Sequence, residues 1–108
     1  MSARSEQLKE ALIRAKAEAL NYADVDDGGT CNFDAPTISL PYWRKQEIDE
    51  AVSGAGLRYF VHHTFGVKSY VICGGTHGQA NRRTVMAEAM YRSLKAAGYD
   101  VSMYYQMD

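Results

Sequence analysis

Two runs of β-forming residues separated by two positions constrain the fold of this 108-residue chain more than any other feature. Arg58–Thr64 and Val67–Cys73 are rich in β-branched and aromatic residues, and the dipeptide Phe65-Gly66 lies between them. Runs of this kind joined by a short, glycine-containing connection are typical of a β-hairpin. The chain is therefore expected to build a sheet around this hairpin, with the flanking segments supplying further strands and a covering layer.

Three other segments have the periodicity of amphipathic helices. They span residues 3–22, 44–55 and 81–97, and Gly98 follows the last of them as a C-terminal cap. The spacing predicts a set of inward-facing side chains: Leu8, Leu12, Ala15, Ala19, Leu20, Ile48, Val52, Ala55, Val85, Met86, Ala89, Met90 and Leu94.

Two shorter β patterns complete the sheet, at residues 37–40 and 101–106. The resulting order is one extra helix followed by β-α-β-β-α-β. That order predicts an α+β fold of the ferredoxin-like split βαβ type, a four-stranded antiparallel sheet with helices on one face. A different α+β arrangement remains an alternative, because the first strand pattern is short. We expect one domain over residues 1–108, with an N-terminal helix in 1–23 and a sheet-containing core in 24–108.

Composition narrows the classes of function. The formal net charge is −1, which gives no overall field for general nucleic-acid binding. No apolar run approaches the roughly 20 residues that span a bilayer, so we expect no membrane contact and a cytoplasmic location. Cys31 and Cys73 are too few for a disulfide framework and are expected to be thiols. We expect no cofactor.

The stretch 73–84 carries the main site prediction. Three glycines follow the β pattern directly, and a helical pattern then opens with two arginines. Glycines permit close approach to the backbone, and a helix N-terminus attracts anions. The predicted ligand-binding residues are Gly74, Gly75, Thr76, His77, Gly78, Asn81, Arg82 and Arg83. No complete phosphate-loop or dinucleotide motif is present, and the arginines could instead be solvated or pair with Asp26, Asp27 or Glu88.

A second polar cluster surrounds Phe33. In one interpretation Asn32 and Asp34 are turn residues whose side chains bond the nearby backbone. In the other they bond the edge of a base or a ribose while Phe33 stacks on it. Whether this cluster meets the stretch 73–84 is left open by the sequence.

Metal and nucleophile chemistry are weaker hypotheses. His62 and His63 are adjacent in a predicted strand and so point to opposite faces, and no metal-ligand spacing is present. We therefore expect no metal site. Cys73 with His77 or His62 could form a nucleophile–base pair in a small hydrolase, although a small buried cysteine at the end of a strand is the common alternative. We assign no catalytic residue, so an enzyme is the less favoured class.

Three segments resemble small uncharacterised proteins encoded by bacteriophages and prophages. They are Asp-Gly-Gly-Thr-Cys-Asn-Phe-Asp at residues 27–34, Gly-Gln-Ala-Asn-Arg-Arg-Thr at 78–84, and the end of the chain at 98–108. The resemblance covers about the last four-fifths of the sequence. It implies a small accessory protein acting in an infected bacterial host, where such proteins often counter host defence.

The leading functional hypothesis is a binding protein, a homo-oligomer, that sequesters an anionic nucleotide-like ligand such as a host immune signal. The alternative is a protein-interaction inhibitor of a host defence protein such as a CRISPR effector. Eight tyrosines and one tryptophan supply the residue types that dominate such interfaces. The last strand pattern reaches almost to residue 108, which predicts a strand that is central to the sheet or part of a subunit contact.

Overall fold

The computed structural model describes residues 2–22, 32–64, 66–74 and 80–107, with the backbone alone at 32–33, 64, 80–83 and 105–107. Its elements, in chain order, are α1 (Ala3–Leu20), β1 (Asn32–Ser39), α2 (Lys45–Gly54), β2 (Arg58–Thr64), β3 (Val67–Cys73), α3 (Ala80–Ala96) and β4 (Asp100–Met107). The strands form one antiparallel sheet in the order β2-β3-β1-β4. The predicted α+β class, with three helices and a four-stranded antiparallel sheet, is confirmed. Within the described residues, no helix has the length and apolarity needed to cross a membrane.

The hairpin has the bounds that the sequence predicts. β2 and β3 pair from Arg58 opposite Cys73 to Thr64 opposite Val67. Gly66, in the connection, has a φ of +79°, a left-handed conformation that glycine adopts without steric cost. The local signal is sufficient here because hairpin register follows from the length of the connecting turn.

Strand β1 is longer than its sequence pattern predicts. It begins at Asn32 rather than at residue 37, and Pro36 lies inside it, opposite Met103 of β4. The interpretation of Asn32 and Asp34 as turn residues is therefore wrong, since both lie in a central strand. Polar residues are poor strand formers on average, but a tertiary partner for a buried polar side chain overrides that preference. Asp34 has such a partner on α3.

All three helices share one apolar core with one face of the sheet. Buried residues of the helices join Ile38, Tyr70, Ile72 and Val101 in a single cluster. The predicted inward residues are confirmed as buried with two exceptions: Val85 is only partly buried, and Leu20 is 55% exposed. Leu20 is the last residue of α1 and lies about 100° around the helix from the buried Ala19, to one side of the buried stripe.

Helix α1 links the other two helices. It contacts both α2 and α3 along its length. Ala11, Ala15 and Ala19 are buried and recur every fourth residue, and their small side chains permit a close helix–helix approach. Ser2 caps the helix by accepting a hydrogen bond from the Ser5 backbone N–H at 3.2 Å.

The opposite face of the sheet, called the second face below, carries no helix within the described residues. Even so, Ala35, Thr37 and Val71 on this face are buried. The ring of Tyr104, from β4, meets Phe60 and His62 of β2 at centroid distances of 5.7 and 5.1 Å. The two strands are three intervals apart, about 14 Å in a flat sheet, so the sheet must be bent around this face.

Strand β4 lies at the edge of the sheet, paired only with β1 among the described strands. The expectation that it is central is therefore wrong. Its alternative role, in a contact between subunits, stays a prediction.

Candidate functional site

One end of the sheet gathers most of the predicted site residues. β1 begins there at Asn32, which is paired with Met107 at the end of β4. β3 runs antiparallel to β1 and ends there, and Gly74 follows it. Helix α3 also starts there, because Thr84 in its early turns contacts β1. We call this region the α3 end.

The contact between Asp34 and Thr84 defines the geometry of the α3 end. Asp34 is 1% exposed, and its Oδ2 accepts a hydrogen bond from the Thr84 hydroxyl. These two residues belong to the two segments that the sequence left unconnected. The structure brings those segments together at this point. The bond holds the start of α3 against the start of β1.

Gly74 ends β3 in a conformation that side chains rarely adopt, with a φ of +96°. A Cβ placed there would meet the Leu57 side chain at 3.7 Å, which is an ordinary contact distance. The requirement for glycine is therefore conformational rather than steric. This left-handed position directly follows the last residue of β3.

The remaining predicted residues divide into two groups. Gly75, Thr76, His77 and Gly78 lie outside the described residues. Asn32, Asn81, Arg82 and Arg83 are described by their backbone alone, which places all four at the α3 end. The first turn of α3 contains no acidic residue. Their role in ligand binding stays a prediction.

The Cys73–His62 pair that the sequence allowed is not assembled. Cys73 lies opposite Arg58 on β2, whereas His62 lies opposite Ser69. Four residues of strand separate the two positions, about 13 Å at the rise of a β-strand. The Cys73 thiol donates to the Val71 carbonyl at 3.6 Å, and the His62 ring contacts Tyr104 instead. Across the described part of the chain, no group of three His, Cys, Asp or Glu side chains could hold a metal ion.

The opposite end of the sheet holds a group of residues that the sequence analysis missed. After β1, the chain turns through Tyr42, which has a φ of +67° and a side chain that is 96% exposed. Trp43 follows, half-buried against the core, with the Arg4 guanidinium 4.8 Å from its ring centroid. We call this region the aromatic end. The available signal was the run Pro-Tyr-Trp-Arg-Lys at residues 41–45, which places two aromatic residues directly before two cations.

A charged network stabilises the aromatic end from the helical side. Arg4 donates to both carboxylate oxygens of Glu47, at 2.8 and 2.6 Å, and to the carbonyl of Tyr42 at 3.1 Å. Ser2 donates to the same carboxylate at 2.7 Å. The hydrogen bonds from Arg4, then those from Ser2 and the Arg44 backbone, hold the pKa of Glu47 well below its ordinary value. The network joins the starts of α1 and α2 to the turn that carries Tyr42.

On the second face, Thr37 is buried and its hydroxyl has no hydrogen-bond partner among the described residues. A buried hydroxyl without a partner destabilises a fold by about 1–3 kcal/mol. Thr37 therefore differs from Thr84, whose hydroxyl is bonded to Asp34.

No protein-family model, curated protein or solved structure matches this chain.

Proposed function

We propose that this protein binds an anionic, nucleotide-like ligand at the α3 end and acts by sequestering it rather than by catalysis. The observation that carries the proposal is the hydrogen bond between Thr84 and Asp34. It holds the start of α3 against the start of β1, at the end of the sheet where Gly74 follows β3.

The electrostatics of α3 support an anionic ligand. The helix has 17 residues, and its unpaired N-terminal N–H groups carry a partial positive charge. Arg82 and Arg83 add two cations to this first turn, where cations are unfavourable unless an anion compensates them. A phosphate group would supply that compensation and accept charge-assisted hydrogen bonds.

We also propose that the α+β fold is of the ferredoxin-like split βαβ type. The strand order β2-β3-β1-β4, with every neighbouring pair antiparallel, supports the ferredoxin-like split βαβ type. A domain of this size rarely encloses a whole ligand, which supports a homo-oligomer with a pocket shared between subunits. The resemblance of residues 27–34, 78–84 and 98–108 to phage proteins supports a cytoplasmic role in an infected host, with an immune signal as the ligand.

Calorimetric titration with mono-, di- and cyclic nucleotides tests this function. Arg82→Ala or Arg83→Ala should each weaken binding by about 1.5–3 kcal/mol, the range for hydrogen bonds to charged groups. Lys95→Ala, in the last turn of the same helix, is the matched control and should leave affinity unchanged.

Absence of heat with every nucleotide at about 100 μM protein, a concentration that detects even micromolar binding, would count against the proposal. Turnover of a nucleotide that is lost in Cys73→Ser would instead establish the hydrolase alternative.

A second function, inhibition of a host defence protein by direct contact, is favoured by the exposure of Tyr42 at the aromatic end. Tyrosine, tryptophan and arginine dominate the energetics of protein interfaces. All three residue types occur together at residues 42–44.

A further inference from the structure

A cavity of about 300 Å³ opens at the aromatic end, between the turn after β1 and the start of β3. Its lining includes Leu40, Tyr42, Trp43, Val67, Lys68 and Tyr70. Most of its described lining residues are aliphatic or aromatic, and Lys68 among them is exposed. The cavity is large enough to receive one or two side chains.

Tyr42 has an unfavourable backbone conformation whose energetic cost is not offset by burial of its side chain. Its left-handed φ of +67° is unfavourable for a residue with a bulky side chain, by about 1–2 kcal/mol. Because the ring is 96% exposed, it contributes almost no burial in return. Strained residues of this kind concentrate at binding sites, where the surrounding structure holds them in place. Here the Arg4 guanidinium holds the Tyr42 carbonyl.

The neighbouring rings are held in position by cations. Arg4 lies 4.8 Å from the Trp43 ring centroid, and Lys68 lies 5.7 Å from that of Tyr70. The Tyr70 ring also meets Tyr59 edge-on at 5.5 Å. A ligand entering the cavity would therefore find its walls already ordered, which reduces the entropic cost of binding.

The cavity lining is positively charged, because Lys68 is the one charged residue among its described members, and Arg44 and Lys45 directly follow Trp43 in the chain. Arg44, Lys45 and Lys68 are all exposed. Lys45 is paired with Asp49 at 2.7 Å, but neither Arg44 nor Lys68 has a carboxylate partner among the described residues. On α2, Glu47 is already bonded to Arg4, and Glu50 accepts a hydrogen bond from Gln46. The patch is thus complementary to an acidic ligand.

The lining favours a protein segment over a nucleic acid. Leu40, Pro41 and Val67 offer aliphatic contacts. Apart from tyrosine and tryptophan, Ser39 and Lys68 are the only polar residues in the part of the lining that the structure describes. Recognition of a base edge needs several directed donors and acceptors, and the described lining offers few of them. Apolar anchors in pockets, with charged groups at the rim, are typical of protein interfaces.

We propose that the aromatic end is the docking site for an acidic protein segment that inserts one apolar or aromatic side chain into the cavity. This inference rests on the second proposed function and supplies its surface and the chemistry of its partner. Tyr42 covers the inserted side chain, while Lys68 on the lining and Arg44, next to Trp43 in the chain, bind carboxylates of the segment.

Selection from a display library of random linear peptides, against the full chain, tests the inference. We expect enriched peptides that combine several Asp or Glu with a central Leu, Phe or Trp. Their affinity should fall about tenfold or more in Tyr42→Ala, as for interface hot spots, and also in Lys68→Glu. Lys95→Glu, an exposed charge reversal on α3, is the matched control and should bind as the wild type does. Melting curves of each variant verify that it is folded.

Three outcomes would overturn the inference. Enriched peptides that bind Tyr42→Ala as tightly as the wild type would place the interface elsewhere, while leaving an interaction function intact. If no peptide is enriched, both the docking site and the interaction function are wrong. Binding of AMP or an oligo(dT) strand that is lost in Tyr42→Ala but retained in Arg83→Ala would assign the aromatic end to nucleotides instead.

Discussion

Each end of the sheet has a residue with a left-handed backbone conformation, but the residue type and its surroundings differ between the two ends. At the α3 end a left-handed backbone position is occupied by Gly74, and the polar Asp34 is buried against a partner. At the aromatic end the left-handed position is occupied by Tyr42, and its apolar ring is exposed. Folding rewards the first arrangement internally. In the second, the described internal compensation is the hydrogen bond from Arg4 to the Tyr42 carbonyl, and the exposed ring is the reason that we propose a partner at the aromatic end.

The largest expected effect concerns the buried polar contact. Thr84→Val keeps the shape of the side chain but removes the donor to Asp34, and should lower the free energy of unfolding by about 1–3 kcal/mol. Thr37→Val makes the same chemical change on β1, where the hydroxyl has no partner within the described residues, and should raise it. Urea unfolding of both variants measures the difference. Equal losses would show that the Asp34–Thr84 bond contributes nothing specific to the α3 end.

The second-largest expected effect on stability concerns the left-handed glycine at position 74. Gly74→Ala should cost about 1–2 kcal/mol, because a Cβ disfavours left-handed backbone even where space is available. Thermal unfolding of the variant beside the wild type measures the loss. A neutral result would mean that the turn after β3 relaxes readily, and that the α3 end is not rigidly preformed.

The corresponding substitution at the aromatic end, at Tyr42, should change the free energy of unfolding by less and should raise it. Asparagine tolerates the left-handed conformation, so Tyr42→Asn should stabilise the fold by about 0.5 kcal/mol. That corresponds to a rise of about 2–4 °C in Tm for a domain of this size. A fall in Tm would show that the Tyr42 ring has a structural role, and would weaken the case for an external partner.

The smallest effect is a dependence of stability on pH. The pKa of Glu47 is lowered in the folded state, so its contribution is present above the ordinary glutamate pKa of about 4.3 and is lost as the pH falls below it. Unfolding free energies at pH 6 and pH 3.5, around that ordinary value, should differ less in Glu47→Gln than in the wild type. An unchanged pH dependence in the variant would show that the Arg4–Glu47 pair does not hold the aromatic end together.

The sequence predicted what depends on local pattern and missed what depends on tertiary partners. The hairpin bounds follow from β propensity and turn length, and the helical stripes predicted Leu8, Met86 and Leu94 as core residues. The length of β1 did not follow, because Asp34 is acceptable in a strand only when Thr84 is present, fifty positions away in the chain. The aromatic end was missed for a related reason. Nothing local distinguishes an exposed tyrosine in a left-handed turn from one that packs into a core.

Tyr104 links strand β4 to strand β2 by ring contacts, in addition to the backbone hydrogen bonds between neighbouring strands. Strand β4 is joined to β1 through backbone pairing, and through one ring it also reaches β2 on the far side. Detachment of β4 would therefore also break the ring contacts of Phe60 and His62 on β2. The edges of this sheet should open as one cooperative unit, and amide hydrogen exchange in β2 and β4 should slow or quicken together.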